Sequence, residues 1–206
     1  MVRYAGYLVA VLMLAPVCSW AQRPSASDSD HLARRVARDA VESRDNKGAG
    51  FAIVDKTRAR LYLFDAMGQL QASSPVLLGL AHGDDSVKGI GTRPMAQIRP
   101  TERTTPAGRF VTEPGINTGG EDIVWIDYDA AVSMHRVRAT KKSERRLERL
   151  ASPSALDNRI SYGCINVPAD FYDAYVKPVF GNVPGVVYVL PENSPVAKYL
   201  SFARQE

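Results

Sequence analysis

Most of the chain after residue 50 alternates between short apolar runs and polar stretches that contain Gly, Pro, Asn or Asp. The runs are about five residues long and rich in β-branched and aromatic side chains, which predicts β-strands separated by turns. Strands are predicted at Phe51–Val54, Arg60–Phe64, Val76–Leu80, Arg109–Thr112, Ile123–Tyr128, Val132–Val137 and Val186–Leu190. The pattern therefore indicates a mainly β fold.

Three segments instead carry apolar residues at helical spacing. Helices are predicted at His31–Arg44, Lys141–Leu150 and Ala169–Val179. The positions that would face a core are Leu32, Val36 and Ala40 in the first, Leu147 and Leu150 in the second, and Phe171, Tyr175 and Val179 in the third. The β fold is thus expected to have an N-terminal helix, a helical insert and a further helix.

A long segment, Ala81–Pro106, interrupts the strands and contains three glycines, three prolines and few apolar residues. Loops of this length inside a compact domain are usually functional or mobile. The chain has no internal sequence repeat and no visible second domain boundary. Residues 51–190 are therefore expected to form one domain.

The first 21 residues have the pattern of a cleaved export signal. Arg3 provides a basic start, an uncharged apolar stretch runs from Ala5 to Val17, and a small-x-small cleavage pattern ends at Ala21. The stretch is too short to span a bilayer comfortably, and Val17 is bulkier than the residue that lipoprotein processing at Cys18 would favour. We expect residues 1–21 to be removed as a signal peptide, with no retained membrane span and a periplasmic location. Residues 22–50 are expected to form a flexible leader and helix, and residues 191–206 a C-terminal tail.

The formal net charge of the chain, +4, is too small to predict binding to nucleic acid, and the sequence leaves the oligomeric state open. Basic residues are nevertheless concentrated between His135 and Cys164. They are Arg136, Arg138, Lys141, Lys142, Arg145, Arg146, Arg149 and Arg159, against Glu144, Glu148 and Asp157. Such a region favours an anionic substrate, with an ordinary solvated helix surface as an equal alternative.

Cys164 becomes the only cysteine once Cys18 is removed with the export signal. In a compartment where disulfides form, an unpaired thiol is a liability unless its reactivity is used. Gly163, directly before it, leaves the sulfur open to approach, and Ser161 and Asn166 can hold a tight loop by hydrogen bonds. These features predict that Cys164 is a catalytic nucleophile.

A thiol with its ordinary pKa of about 8.5 needs a nearby base or positive charge to react as a thiolate near neutral pH. The chain has three histidines, His31, His82 and His135. His31 belongs to the leader helix and His82 to the Gly-rich loop, whereas His135 ends a predicted strand that would hold its imidazole firmly. We therefore predict that His135 is the general base and acid for Cys164.

His135, followed by Ser161-Tyr162-Gly163-Cys164-Ile165-Asn166, resembles the signature of the L,D-transpeptidase family, which has a YkuD-type catalytic domain. That signature is a His, a gap, Ser or Thr, then His-Gly-Cys, an apolar residue and Asn or Arg. Thr105-Pro106-Ala107-Gly108-Arg109-Phe110 resembles a second landmark of the family. The resemblance covers about Phe51 to Leu190, so residues 51–190 would be the catalytic domain.

The resemblance implies a YkuD-like β-sandwich or barrel in which the cysteine loop and the histidine strand meet in a cleft. It implies peptidoglycan stem peptides as substrate and partner, and neither cofactor nor metal. Cys164 would attack a carbonyl of a donor stem to form a thioester, and an amine of diaminopimelate would release the enzyme. Backbone N–H groups of Tyr162, Gly163 and Cys164 would hold the oxyanion, and the carbonyl of Arg136 would steady the imidazole of His135.

The sequence departs from the family signature at two points. Tyr162 stands where the family has a second histidine, which leaves His135 as the sole candidate base and makes the tyrosine hydroxyl a candidate donor. The gap between His135 and Ser161 is longer than usual, and the basic helix within it could act as a lid or a substrate wall. Cross-links of the 3-3 and the 1-3 type both stay open. Arg159, whose guanidinium suits a carboxylate, and Asn166 are predicted to bind substrate.

The order of histidine, cysteine and arginine along the chain differs from that of two other classes of cysteine enzyme. A sortase-like enzyme needs an arginine in the core after the cysteine, but the only arginine after Cys164 is Arg204. A papain-like peptidase needs a histidine after the cysteine, and none follows. The alternatives that stay open are an inactive cell-wall-binding protein, because Tyr162 departs from the signature, and an L,D-carboxypeptidase or exchange activity on the same stems.

Overall fold

The computed structural model describes residues 31–204, which form ten β-strands and a few helices. The strands are β1 (Phe51–Asp55), β2 (Arg60–Phe64), β3 (Leu70–Pro75), β4 (Leu78–Gly79), β5 (Gly108–Ile116), β6 (Asp122–Asp127), β7 (Val132–Arg136), β8 (Arg159–Ser161), β9 (Ile165–Val167) and β10 (Gly185–Leu190). The helices are α1 (His31–Glu42), α2 (Arg146–Ala151), α3 (Ala169–Phe171) and α4 (Lys177–Phe180), and a π-helical turn (Tyr172–Val176) joins the last two. The prediction of a mainly β fold with a few helices is confirmed.

Eight of the strands form one sheet in the order β3-β2-β1-β10-β5-β6-β7-β9, and β4 pairs with β8 in a small second sheet. The two ends of the large sheet come close together. Leu77, which follows β3 closely, exchanges backbone hydrogen bonds with Asn166 of β9 at 2.9 and 2.8 Å. The large sheet is therefore a nearly closed barrel, and the seam between its ends lies beside Asn166.

Apolar side chains pack on both faces of the curved sheet, as expected where successive residues of a strand point to opposite sides. In β1, Ala52 and Val54 belong to one core, which the segment from α3 to α4 covers with Tyr172 and Phe180. Phe51 of the same strand belongs to the core on the other face, where α1 packs. Helical segments therefore contribute to both cores.

The segments on both sides of residues 51–190 pack against them. In α1 the residues buried against the sheet are Ala33, Val36, Ala37 and Ala40. After β10, Leu200 and Ala203 are buried in the same core. Both segments are therefore integral to the fold. The residues of the expected signal peptide lie outside the described part, and within residues 31–204 no helix is both long and apolar enough to cross a membrane.

The structure corrects several predicted elements. Strands β3, β8 and β9 were not predicted, because β3 is polar at half of its six positions and the other two have only three residues each. The strand predicted at Val76–Leu80 is reduced to β4. The predicted helix Lys141–Leu150 is a short 3-10 turn (Lys142–Glu144) followed by α2, because Arg145 adopts a left-handed conformation with φ 48°. The weak apolar spacing of this insert could not specify one continuous helix.

Candidate active site

The candidate nucleophile and base lie on two neighbouring strands. In the parallel pairing of β7 with β9, His135 lies opposite Asn166, and Cys164 directly precedes β9. Both side chains line the same cavity. The two residues to which the sequence analysis assigned the chemistry are therefore brought together by neighbouring strands, and each influences the pKa of the other.

The imidazole is oriented from its other side by the main chain. Nδ1 of His135 lies 2.7 Å from the carbonyl oxygen of Arg136, the contact that the family resemblance implied. A carbonyl oxygen only accepts, so Nδ1 carries a hydrogen and Nε2 is left to face the thiol. The sulfur also lies 3.7 Å from the hydroxyl of Ser133 and 3.7 Å from the carbonyl oxygen of Ala131.

The surroundings favour the charged forms of both groups. Burial would raise the pKa of the Cys164 thiol, but the hydrogen bond and charge of His135, with smaller contributions from Ser133, hold that pKa below its ordinary value. Burial would lower the pKa of His135, but the hydrogen bond and charge of Cys164 and the carbonyl of Arg136 raise it. The two directions agree, because each describes stabilisation of a thiolate beside an imidazolium.

Ser161 holds the loop that carries the nucleophile. Its hydroxyl donates to the carbonyl oxygen of Cys164 at 2.7 Å and accepts from the N–H of Gly163 at 3.1 Å. The expectation that the Gly163 N–H would hold an oxyanion is thereby corrected, because that donor is already used inside the loop. Ser161 acts on the shape of the loop, as the sequence predicted.

Gly163 is packed too closely for any larger residue. Its φ of 133° is a conformation that side chains rarely adopt, and an added Cβ would lie 2.8 Å from the carbonyl oxygen of Thr104. Its own carbonyl accepts a 2.8 Å hydrogen bond from the hydroxyl of Thr105, which in turn accepts from the N–H of Gly79 at 2.9 Å. Thr105 opens the second motif noted in the sequence, so that motif has a structural role in bracing the nucleophile loop.

Tyr162 lies in the wall of the site. The guanidinium carbon of Arg103, from the long segment Ala81–Pro106, is 3.8 Å from the centre of the Tyr162 ring. This distance is well within the range of a cation–π contact. The contact fixes the ring of Tyr162 at the mouth of the site and explains one function of the long segment, which is to support the loop.

Asn166, predicted to bind substrate, is only 1% exposed. Its amide nitrogen lies 3.3 Å from the carbonyl oxygen of Cys164 and 3.4 Å from Nε2 of His135. Its amide oxygen accepts a hydrogen bond from Arg146 of α2. The structure therefore places Asn166 behind the nucleophile pair, where it contacts both members of the pair.

Arg159, the other residue predicted to bind substrate, is buried in a different place. Its guanidinium donates to the carboxylate of Glu192 and to the carbonyl oxygen of Lys56. The Lys56 ammonium, which is fully buried, pairs with Asp84 at 3.0 Å and donates to the carbonyl oxygen of Thr105 at 3.1 Å. Burial lowers the pKa of Lys56, although the two carboxylates oppose this shift. We therefore assign Arg159 to this buried ionic network and not to substrate binding.

Several residues of the site were missed by the sequence analysis. Lys56, Arg103, Arg146 and Glu192 are charged residues in turns, in the long segment or in the basic insert. Charged residues in such positions are usually solvated, so no feature of the sequence distinguished these four. Only the three-dimensional contacts reveal their partners.

A cavity of about 270 Å³ opens at the sulfur. Its lining consists of Met95, His135, Arg138, Thr140, Lys141, Glu144, Arg146, Ser161, Tyr162, Cys164 and Asn166. Three cationic side chains against one carboxylate give this cavity a positive character. A larger groove of about 1030 Å³ runs along α1 and includes His31, but it contains neither Cys164 nor His135. His82 is exposed and pairs with Glu192 at 3.0 Å, outside the cavity.

No protein-family model matches the chain, and no curated protein sequence matches it. Solved structures do match. The helical cell shape determining protein Pgp2 from Campylobacter jejuni is 14% identical over 71% of this chain and 49% of its own, with a TM-score of 0.43. The catalytic domain of the E. faecium L,D-transpeptidase is 20% identical over 69% of this chain and 98% of its own, with a TM-score of 0.36.

L,D-transpeptidase 1 from Mycobacterium tuberculosis is 15% identical over 68% of this chain and 61% of its own, with a TM-score of 0.34. This chain therefore spans about half the length of Pgp2 and about three fifths of the mycobacterial protein. These likenesses are too distant to assign a role to any residue, so the roles below rest on the geometry of the site.

Proposed function

We propose that this protein is a cysteine acyltransferase of the L,D-transpeptidase type, which cross-links peptidoglycan stem peptides in the periplasm. The observation that carries the proposal is that the Cys164 thiol shares one cavity with an imidazole whose far nitrogen is fixed by the carbonyl of Arg136. A thiol activated in this way attacks acyl groups and forms a thioester. The resemblance of the loop to the family signature supports the choice of substrate.

The proposed reaction has two acyl-transfer steps. Nε2 of His135 takes the thiol proton, and the sulfur of Cys164 attacks a carbonyl carbon of the donor stem to give a tetrahedral oxyanion. When this intermediate collapses, the leaving amine takes the proton from the imidazolium and a thioester remains. An acceptor amine, expected to be the side-chain amine of a diaminopimelate, then gives a proton to Nε2, attacks the thioester and restores the thiol.

The oxyanion needs hydrogen-bond donors that are not already used. Because the N–H of Gly163 donates to Ser161, the N–H groups of Tyr162 and Cys164 are the proposed donors. Loss of one such donor in other enzymes costs about 3 kcal/mol of transition-state stabilisation. The Tyr162 hydroxyl, at the mouth of the cavity, is a further proposed donor.

The charge of the cavity supports a substrate with carboxylates. Arg138, Lys141 and Arg146 line it, with Glu144 as the only acidic residue among the described residues of the lining. A concave positive surface raises the local concentration of anions and speeds their association. Stem peptides that carry free carboxylates fit this field, and these three cations take the role that the sequence analysis gave to Arg159.

Mass spectrometry of the intact protein tests the proposal directly. We expect a carbapenem or a stem peptide to form a covalent adduct with the wild-type protein and none with Cys164→Ala. Circular dichroism would show whether the variant keeps its fold. An adduct that persists in Cys164→Ala, or the absence of any adduct on the folded wild-type protein, would contradict the proposal.

Muropeptide analysis then decides the product. New cross-links in cells that express the protein would show transpeptidation, and fragmentation would show whether the donor is stem position 3 or 1. Trimmed or exchanged stems without cross-links would indicate an L,D-carboxypeptidase or exchange activity instead. Unchanged muropeptides, with folded and exported protein, would favour a wall-binding protein.

A further inference from the structure

We propose that Arg146, the first residue of α2, is a positioning residue that fixes the side-chain amide of Asn166 behind the nucleophile pair. The inference rests on the proposed cysteine chemistry and assigns a role to the basic insert within it. The insert would then orient a residue that contacts the reacting groups, and would not only form a wall or lid over the substrate.

The contacts of Arg146 leave one orientation for the amide. Nη1 of Arg146 donates to Oδ1 of Asn166, and its Nε donates to the carboxylate of Glu144 at 2.6 Å. A guanidinium has only donors, so the atom of Asn166 that faces it must be the oxygen. Because Asn166 is buried, water does not offer the amide an alternative partner for the opposite orientation. The amide nitrogen is thereby directed at the nucleophile pair.

This direction matters for the main chain at the nucleophile. The amide nitrogen of Asn166 and the hydroxyl of Ser161 both donate to the carbonyl oxygen of Cys164, at 3.3 and 2.7 Å. If the amide turned over, Oδ1 would face that carbonyl oxygen, and two acceptors would repel each other. Arg146 therefore helps to hold the peptide bond that follows the reactive sulfur.

The same orientation acts on the imidazole. The amide nitrogen lies 3.4 Å from Nε2 of His135, so it can donate only while Nε2 carries no hydrogen. This contact supports the form of His135 that accepts the thiol proton. An amide that turned over would instead accept from a protonated Nε2 and stabilise the imidazolium.

The sequence of α2 agrees with a role other than packing. The helix has six residues, and Leu150 is its only buried one. Apolar burial of one side chain is a small contribution to the docking of a whole segment. Polar contacts therefore position α2. Arg149 of the same helix donates to the carbonyl oxygens of Glu144 and Asp157 at 2.8 and 2.9 Å and does not contact Asn166 in the structure. It offers a matched control for Arg146.

An NMR experiment tests the orientation without any substrate. In the wild-type protein we expect nuclear Overhauser effects between the side-chain amide hydrogens of Asn166 and the ring hydrogens of His135. They should disappear in Arg146→Met and persist in Arg146→Lys, which keeps a donor and a charge. They should also persist in Arg149→Met, which loosens α2 without touching the amide. Persistence in a folded Arg146→Met would overturn the proposal.

The pH dependence of carbapenem acylation gives the second readout. The charged groups that line the cavity beside His135 are Arg138, Lys141, Glu144 and Arg146. We expect Arg146→Met to slow acylation about tenfold, the scale of one hydrogen bond, and to move the acid limb of the profile to lower pH. The limb moves because a turned amide would accept from Nε2 and favour the imidazolium, which stabilises the thiolate of Cys164.

Two variants separate the turned amide from a simple loss of charge. Arg138 lowers the pKa of His135 through its charge and pairs with Glu121 instead of Asn166, so Arg138→Met should move the limb less than Arg146→Met does. Arg146→Lys should restore most of the rate. Equal effects of Arg138→Met and Arg146→Met, or no rescue by lysine, would overturn the positioning role. If even the wild-type protein forms no adduct, the proposed function fails, while the NMR result still decides the orientation of Asn166.

Discussion

Gly163→Ala would add one methyl group at the residue directly before the nucleophile. A φ of 133° costs a residue other than glycine about 1–3 kcal/mol of folding free energy. The new Cβ would lie 2.8 Å from the carbonyl oxygen of Thr104 and 3.3 Å from Cγ2 of Val132, and relief of this overlap costs about 1–3 kcal/mol more. Alanine has fewer backbone conformations than glycine in the unfolded chain, and this difference offsets about 0.4–1 kcal/mol of the lost stability. We expect a net loss of about 1–6 kcal/mol of stability.

Gly83→Ala is the matched control. Gly83 has a φ of 139°, and its N–H and carbonyl are both hydrogen-bonded to side chains, those of Glu192 and Lys56. The N–H and carbonyl of Gly163 are likewise bonded to side chains. An added Cβ at Gly83 would meet no atom closer than 3.6 Å. Its replacement should therefore cost the backbone strain of about 1–3 kcal/mol, less the same offset of about 0.4–1 kcal/mol.

Urea denaturation followed by circular dichroism measures both losses. The rate at which iodoacetamide alkylates Cys164 in native conditions reports on the loop itself. We expect Gly163→Ala to be the less stable variant by about 1–3 kcal/mol and to change the alkylation rate, with Gly83→Ala near the wild-type rate. Equal stabilities of the two variants would refute the close approach of Thr104 to the nucleophile loop.

Three further predictions concern chemistry and stability. His135→Ala should abolish acylation near neutral pH and raise the pH at which the Cys164 thiolate forms. His82→Ala should acylate at nearly the wild-type rate. An equal loss of acylation in both variants would contradict the assignment of His135 as the base. Tyr162→Phe keeps the ring beside Arg103, so the stability should not change. If the hydroxyl donates in the transition state, turnover should fall by about ten- to a hundredfold. An unchanged rate would show that the hydroxyl has no such role. Lys56→Met leaves Asp84 buried without its cation, whereas Glu192 keeps Arg159, and should cost about 3–5 kcal/mol in urea denaturation. Lys177→Met, at a half-exposed ion pair, should cost about 0–1 kcal/mol, and similar losses for both would contradict the buried network.

The sequence predicted those parts of the molecule that depend on local patterns. Runs such as those in β1 and β2 have strong β propensity over five residues, and both strands are found at nearly the predicted bounds. Cys164 and His135 were identified because a lone thiol and a strand-borne imidazole have few other uses in a protein that is expected to be exported. Their shared cavity agrees with that reasoning, and their catalytic role stays a prediction.

The predictions that failed concern residues whose partners are distant in the sequence. Arg159 has the chemistry to bind a carboxylate, and it does bind one, but the carboxylate belongs to Glu192. Asn166 has the chemistry to contact a ligand, yet the ordering of β9 beside β7 buries it behind the imidazole. Short strands such as β8 and β9 are specified by their neighbours in the sheet, which no local pattern encodes.

The buried ionic network of Lys56, Asp84, Arg159 and Glu192 can form only after its last residue has been synthesised. Lys56, Asp84 and Arg159 precede Glu192, so the carboxylate that completes the network is the last of its four members to leave the ribosome. A nascent chain that ends before Glu192 would have to bury Arg159 without its anion, which is strongly unfavourable. The segments tied by this network include Thr105, and through it the loop of Cys164. The sulfur therefore acquires its supported geometry only once Glu192 has been made.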